Sequence, residues 1–224
     1  GLSNPHGLMQ LFDKNLMVGD IKRPRVFTTA GTFVKDFGPS GLYGIYISQM
    51  PNGEIWATQY LKQSVMRLSP TGTQLGILNH AAFKENVNNV VQLADGNILF
   101  STHGKVYPGK PGRLVWFTKD LKPLKFASAP VGMTLNSDGS LSHKDISGQH
   151  EALQLPNGMI LIASFWNNKL VRLKAGGAYV DALTLGSGCS GNGCQYAPSG
   201  MFLDKTGKLV FTTGSNAVRV VTFG

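Results

Sequence analysis

The amino-acid sequence predicts an all-β fold and, within that class, a β-propeller of about five four-stranded blades. Short apolar segments bounded by glycine turns recur along the chain in units of 37 to 50 residues, a period typical of repeat architectures. The chain has 28 glycines among its 224 residues, as many tight turns require. No helical periodicity separates the predicted strands, which argues against a parallel α/β fold.

The best-defined repeat is a hairpin that occurs three times, at residues 45–53, 88–96 and 150–158. In each copy a strand leads into Asn-Gly or Asp-Gly and a second strand follows at once, which is the strongest short-range hairpin signal. Each copy also carries a glutamine four residues before the glycine. Segment 199–207 keeps this frame with different residues, and we expect segment 6–15 to fit it with one extra residue.

Two further strands are predicted after each hairpin. The third strand carries an arginine near its centre, at Arg67, Arg172 and Arg219. The fourth follows a glycine turn, as in segments 72–78 and 177–183. Four strands in succession make a propeller blade.

The blade boundaries follow from these repeats. We interpret residues 1–224 as a single propeller domain, whose predicted blades span roughly 1–39, 40–80, 81–145, 146–190 and 191–224. Segment 130–139 repeats the frame only about ten residues before the next hairpin, too few for a whole blade. It is therefore predicted to be an insertion or outer hairpin of the third blade, and a degenerate sixth blade is the alternative.

Composition limits the classes of function. The formal charge of +9 favours either solubility or attraction for anionic ligands. Basic residues are not interleaved with aromatic ones as in RNA-binding surfaces, so we expect no nucleic-acid partner. No apolar run approaches the length of about 18 residues that a membrane span requires. Phosphate-binding glycine loops and the Gly-x-Ser-x-Gly elbow are also missing, so no nucleotide cofactor is expected.

Two cysteines bear on localisation. Cys189 and Cys194 lie in one glycine-rich loop, where a local disulfide would favour a secreted or periplasmic protein. Reduced thiols in a surface loop are the alternative. The sequence does not indicate an oligomeric state.

A candidate site lies where the first and second strands of the blades meet. Because these strands are antiparallel, the start of one and the end of the other share an edge, which we call the rim. Three of the five histidines fall at rim positions: His6, His103 and His150. The predicted ligand-binding residues at the rim are Tyr43, Tyr60, Asn88 and Trp166, with Lys105 and Arg113 from the loop after His103.

The repeat pattern resembles NHL-type propellers and relatives such as streptogramin lyase. That resemblance implies acid–base chemistry in which rim histidines and carboxylates abstract a proton and eliminate a leaving group. On this basis His150 is the candidate base and His103 the candidate acid. Glu151 or Asp20 is the candidate orienting carboxylate.

Two further resemblances are confined to short segments. Pro5-His6-Gly7 is similar to segments that ligate zinc in the peptidyl-hydroxyglycine lyase propeller, in which three histidines hold the metal. The resemblance implies a divalent transition metal, zinc or copper, held here by His6 and His150, and His103 or Glu151 is the candidate for the third ligand. Segment 150–158 also resembles arylsulfate sulfotransferases, in which a channel histidine takes the sulfuryl group. The plainer alternative is that these histidines cap backbone groups or bind water.

The leading hypothesis is therefore a lyase or hydrolase, acting through rim histidines and a bound metal on a small or anionic substrate. A non-enzymatic module that binds a glycan, a peptide or a metal is the first alternative. Sulfuryl transfer through a channel histidine is the second.

Overall fold

The protein is an all-β chain of five successive antiparallel sheets, the blades of a β-propeller. The computed structural model describes residues 2–3, 5–59, 62–103, 111–187, 195–204, 206–215 and 217–221. Cys189, Cys194, Tyr60 and Lys105 lie outside these ranges, so the disulfide and two ligand-binding predictions stay predictions. Within the described ranges, no helix is long and apolar enough to cross a bilayer.

The first compact unit, residues 1–90, contains the first two blades. In each blade the strands pair with their neighbours in chain order, as predicted. The first blade consists of β1 (Pro5–Gln10), β2 (Leu16–Asp20), β3 (Arg25–Phe27) and β4 (Phe33–Asp36). The second consists of β5 (Gly44–Gln49), β6 (Ile55–Gln59), β7 (Ser64–Leu68) and β8 (Gln74–Leu78). A short 3-10 helix, Ala81–Glu85, follows.

The second compact unit, residues 91–224, contains the remaining blades, and the boundary falls inside β9. The third blade consists of β9 (Val87–Gln92), β10 (Ile98–Thr102), β11 (Arg113–Phe117), β12 (Thr134–Leu135) and β13 (Leu141–Ser142). The fourth consists of β14 (Gln149–Gln154), β15 (Ile160–Ser164), β16 (Lys169–Leu173) and β17 (Tyr179–Thr184). The described strands of the fifth are β18 (Pro198–Leu203), β19 (Leu209–Thr213) and β20 (Val218–Val221).

The third blade carries the extra segment that the sequence predicted. Strands β12 and β13 form a short hairpin, and β13 pairs with β11. The sheet order is therefore β12-β13-β11-β10-β9, which makes segment 130–139 part of an outer hairpin rather than a sixth blade.

The hairpin turns follow one hydrogen-bonding scheme. In the second blade, the Met50 N–H donates to the Glu54 carbonyl at 2.8 Å and the Gly53 N–H donates to the Met50 carbonyl at 2.8 Å. Gly53 has a φ of 85°, a conformation that glycine adopts without steric cost. The Glu54 N–H also donates to the Asn52 side chain at 3.1 Å, which explains the preference for Asn or Asp before the glycine.

The first blade follows the same frame without an extra residue, so that expectation was wrong. Lys14 occupies the position of the turn glycine, with a φ of 73°. Its N–H donates a hydrogen bond of 2.9 Å to the Leu11 carbonyl. The Asn15 N–H donates to the Asp13 carboxylate at 3.0 Å, which stabilises the turn although its left-handed residue is a lysine. The repeated glutamine is therefore present in this blade too, at Gln10.

The second strands form the middle of each blade's core. All residues of β6, β10 and β15 are buried. In the first unit the core includes Met17, Ile55 and Leu68. In the second, one cluster joins Trp116 and Ile160. Burial on both faces explains why these strands read as near-continuous apolar runs.

The third-strand arginines of two blades pair with carboxylates. Arg67 donates two hydrogen bonds of 2.9 Å to Glu54 in the second blade. In the fourth blade Arg172 pairs with Asp181 on β17. Paired guanidinium groups of this kind position strands rather than bind anions.

Candidate functional site

The rim is built the same way in four blades. The first residue of the first strand pairs with the last residue of the second strand: Pro5 with Asp20, Gly44 with Gln59, Gln149 with Ser164, and Pro198 with Thr213. The register then shifts, so each first strand has a bulge directly after its first residue. His6, Ile45, His150 and Ser199 lie in these bulges. Bulges re-aim side chains and are over-represented next to active sites.

In the first unit the rim places His6 near a buried carboxylate. Asp20 is 1% exposed, and its two oxygens accept hydrogen bonds from the Ser3 N–H at 2.5 Å and the Lys22 N–H at 3.0 Å. Partial burial of the His6 ring lowers its pKa, and the charge of Asp20 acts in the opposite direction. The lowered pKa favours the neutral imidazole at neutral pH, the form that accepts a proton or binds a metal.

The other predicted rim residues of this unit have different surroundings. Tyr43 is half-buried, with the Lys62 Nζ 5.7 Å from its ring centroid. Asn88 is fully buried as the second residue of β9. The His6 ring centroid lies 6.0 Å from that of Tyr46, an aromatic contact that the sequence did not indicate.

In the second unit His103 follows β10 and contacts the start of β14. Its carbonyl accepts the Gly148 N–H at 3.0 Å, and its ring meets Trp166 edge-on, with 6.1 Å between centroids. A Cβ at Gly148 would lie 1.8 Å from the Trp166 ring, so glycine is required for this packing. The Trp166 Nε1 is buried and has no hydrogen-bond partner among the described residues.

Glu151 is the most unusual carboxyl of the described residues. It follows His150 in β14, and its Oε2 accepts the Met201 N–H of β18 at 2.8 Å. Burial raises the pKa of Glu151 to about 7, and the hydrogen bond from Met201 offsets only part of that effect. Shifts of this size are typical of functional carboxyls, which need to hold and release a proton near neutral pH.

The surroundings of Glu151 explain this shift. Besides Met201, the β18 residue Gly200 lies beside this carboxylate, and an added Cβ there would lie 3.6 Å from Oε2. Among the described residues, no cation forms an ion pair with Glu151, whereas Arg67 holds the pKa of Glu54 below its usual range through their hydrogen bonds. Without a cation, the desolvation of the carboxylate dominates.

The remaining predicted site residues are only partly described. Arg113 lies in β11 and forms an ion pair with Asp138, so its guanidinium is already engaged with a carboxylate. His150 lies in β14, but its side chain is outside the description. Among the described residues, no group of three or more His, Cys, Asp or Glu side chains could hold a metal ion. The metal site with His6, His103 and His150 therefore stays a prediction.

Known structures resemble the whole chain. A streptogramin B lyase superposes with a TM-score of 0.60 at 15% identity, over 99% of this chain and 84% of that one. A catalytically inactive His-to-Ala variant of virginiamycin B lyase from Staphylococcus aureus, with quinupristin, gives a TM-score of 0.58 at 14% identity, over 97% and 83%. A gluconolactonase-type protein gives 0.66 at 15% identity, over 99% and 75%.

These comparisons confirm the propeller fold and its similarity to streptogramin lyase propellers, both predicted from the sequence. At such identities the likeness shows the fold alone, and one fold supports many chemistries. No protein-family model matches the sequence, and no curated protein matches it either. The function must therefore be argued from the side chains of the site.

Proposed function

We propose that this protein is an acid–base enzyme of the lyase or hydrolase class, in which Glu151 exchanges a proton with the substrate beside His150. The observation that carries the proposal is the carboxyl of Glu151, whose pKa is raised to about 7 by burial. At neutral pH such a group is divided between its two forms, so it serves as a base or as an acid within one turnover. An ordinary glutamate is almost fully ionised at that pH.

The bulge at His150 supports the same proposal. Glu151 and His150 are adjacent in β14, and the register shift lies between Gln149 and Glu151. In a regular strand, neighbouring side chains point to opposite faces. A bulge relaxes that alternation, so the backbone at His150 departs from the regular strand geometry directly before Glu151.

His103 and Trp166 supply the second half of the proposed site. The Trp166 ring is a half-buried apolar surface for a substrate, and its Nε1 is a donor without a partner among the described residues. His103, packed against this ring, is the candidate acid. The net charge of +9 favours a substrate that is neutral or anionic.

The proton transfers balance in either reaction class. In an elimination, Glu151 or His150 takes a proton from the carbon next to a carbonyl, the C–H electrons form a C=C bond, and the leaving oxygen departs with a proton from His103. In the hydrolysis of a lactone, the same base takes a proton from water, whose oxygen forms a new C–O bond to the carbonyl carbon. The ring C–O bond then breaks, and the leaving ring oxygen receives a proton from His103. Each transfer contributes about 10²- to 10⁴-fold in rate.

Activity assays with two substrate classes test this proposal. Quinupristin tests ring opening by elimination and glucono-lactone tests hydrolysis, each followed by mass spectrometry. We expect Glu151→Gln and His150→Ala to lower kcat by about 100-fold or more, with a wild-type pH profile that has a midpoint near 7. Asp120→Asn, a change of an exposed carboxylate, is the control and should leave kcat unchanged. Full activity in Glu151→Gln would contradict the proposal, and binding of the compounds without turnover would favour the non-enzymatic module.

As an alternative to proton transfer by these histidines, we propose a divalent transition metal bound through His103, His150 and His6. Support comes from the residue type, since neutral imidazole is the commonest protein ligand of zinc and copper, and from the lowered pKa of His6. Elemental analysis of the purified, untagged protein should find about one equivalent of zinc or copper, absent from a His6→Ala, His150→Ala double variant. Protein that stays metal-free after incubation with excess zinc and copper would contradict this part of the proposal and leave the role of Glu151 in place.

A further inference from the structure

An apolar pocket lies in the first unit, between the hairpin turn of the first blade and the second blade. Its volume is about 270 Å³. Cavities of about 150 Å³ already hold benzene in an engineered protein, so this pocket has room for a larger, bicyclic group. Its apolar lining is formed by Leu11, Phe12, Met17, Phe37, Ile55 and Pro70.

Most of the wall belongs to the core, so the pocket is already formed. Met17, Phe37 and Ile55 are at most 2% exposed. Phe12 is the exception, because this apolar side chain lines the pocket and yet is 63% exposed. Small-molecule sites have this form: a preformed apolar concavity with few polar groups.

The polar group that distinguishes this pocket is the side-chain amide of Gln49. Its Oε1 accepts the Phe12 N–H at 2.8 Å, which fixes the orientation of the amide and identifies Nε2 as the free end. The equivalent glutamines of three other blades each donate Nε2 to a carbonyl of their own turn: Gln10 to Lys14 at 3.1 Å, Gln92 to Gly96 at 3.3 Å, and Gln154 to Gly158 at 3.0 Å. Nε2 of Gln49 makes no such bond among the described residues.

The charge at the pocket limits the ligand further. Asp13 also lines the pocket, and its carboxylate accepts hydrogen bonds of 3.0 Å from the backbone and side chain of Asn15. A fixed negative charge disfavours an anionic ligand. An apolar wall and a free amide donor favour a neutral, flat molecule with one acceptor.

We propose that this pocket binds a small uncharged aromatic molecule that carries one carbonyl group, whose oxygen accepts a hydrogen bond from the Gln49 Nε2. The ring lies against Phe12, Phe37 and Ile55. The site is separate from Glu151 and does not depend on the proposed acid–base function.

Binding of 6-fluoro-2-naphthamide to the full chain, followed by fluorine NMR, tests this proposal. We expect a dissociation constant on the order of 1 mM, which is typical of small apolar ligands. Gln49→Glu keeps an acceptor for the Phe12 N–H and removes the donor, so it should weaken binding about tenfold. Phe12→Ala should also weaken binding, because it removes one wall of the pocket.

The chain offers a matched control at the equivalent glutamine. Gln154 accepts the Ala94 N–H at 2.7 Å as Gln49 accepts that of Phe12, so Gln154→Glu introduces the same charge at the same place in another blade. This variant should bind the naphthamide like the wild type. Three results would overturn the proposal. They are equal weakening by both substitutions, unchanged binding by Gln49→Glu, and no detectable binding at naphthamide concentrations about tenfold above the expected dissociation constant.

Discussion

Glu151→Gln should stabilise the protein at pH 8 while it lowers the proposed activity by about 100-fold or more. The pKa of the Glu151 carboxyl is about 7 in the folded protein and returns to its ordinary value near 4.5 in the unfolded chain. The folded state therefore holds the proton more tightly. The contribution of this group to stability is fully present below pH 4.5 and is lost as the pH rises through about 7.

The size of this effect follows from the same shift. Each unit of pKa difference between folded and unfolded states corresponds to about 1.4 kcal/mol, so the full loss is about 3 kcal/mol. Glutamine keeps an acceptor for the Met201 N–H and carries no charge at any pH. The variant's advantage in the free energy of unfolding should be near zero at pH 4 and reach about 3 kcal/mol at pH 8, measured by urea denaturation across this range.

Glu54→Gln is the control, because its expected effect has the opposite sign. The hydrogen bonds from Arg67 lower the pKa of Glu54, so that carboxylate stabilises the fold at neutral pH and loses this contribution as the pH falls. Its removal should destabilise the protein at pH 7, with a smaller difference at acid pH. A stability difference between Glu151→Gln and the wild type that does not change with pH would contradict the raised pKa.

Gly19→Ala should cause a large loss of stability. Strand β2 passes so close to β5 that an added Cβ at Gly19 would lie 2.0 Å from the Ile45 carbonyl oxygen and 2.9 Å from that of Gly44. Both are backbone atoms, which cannot move aside without breaking the contact between the two blades. We expect a loss of about 3 kcal/mol, the upper end for overpacked cores, and a decrease in Tm of roughly 6 to 12 °C.

The matched control is Gly76→Ala in β8. An added Cβ there would meet no atom within 4 Å. Alanine restricts the unfolded chain more than glycine does, so this change should be neutral or stabilise the protein by up to about 0.5 kcal/mol. Equal effects of the two substitutions would show that the approach of β2 to β5 is not as close as described.

The local elements were predictable because their signals are local. The Asn52-Gly53 turn, the strands around it and the outer hairpin at 130–139 depend on neighbours in sequence, and all were predicted. Lys14 shows where this reasoning fails. A lysine in the left-handed conformation carries no sequence signal, and it is held there by a turn that the Asp13 side chain stabilises.

The candidate site was predicted less completely. The positions of His6, His103 and His150 at the starts and ends of strands followed from the repeat, but the bulges beside them did not. Glu151 or Asp20 was expected to orient a histidine, whereas the raised pKa of Glu151 supports the proposal that this carboxyl itself transfers a proton. That shift depends on Met201 and Gly200, which are about 50 residues away in the sequence and reach Glu151 only through the packing of two blades.

The fold itself does not decide between the proposed reactions. The lyase and gluconolactonase-type structures that resemble this chain share its architecture at low identity. What distinguishes a catalytic propeller is a group that can transfer protons at neutral pH. Glu151 meets this requirement through its raised pKa, and the proposed function depends on the titration of this carboxyl.

The most direct test is an NMR titration of protein labelled with carbon-13 at the glutamate carboxyl groups. The sequence contains three glutamates, Glu54, Glu85 and Glu151, so the variants Glu54→Gln and Glu151→Gln assign the signals. We predict one carboxyl, missing from Glu151→Gln, that titrates near pH 7, and a Glu54 signal that titrates below its usual range. A Glu151 signal that titrates near 4.5, the ordinary value, would contradict the proposed acid–base site.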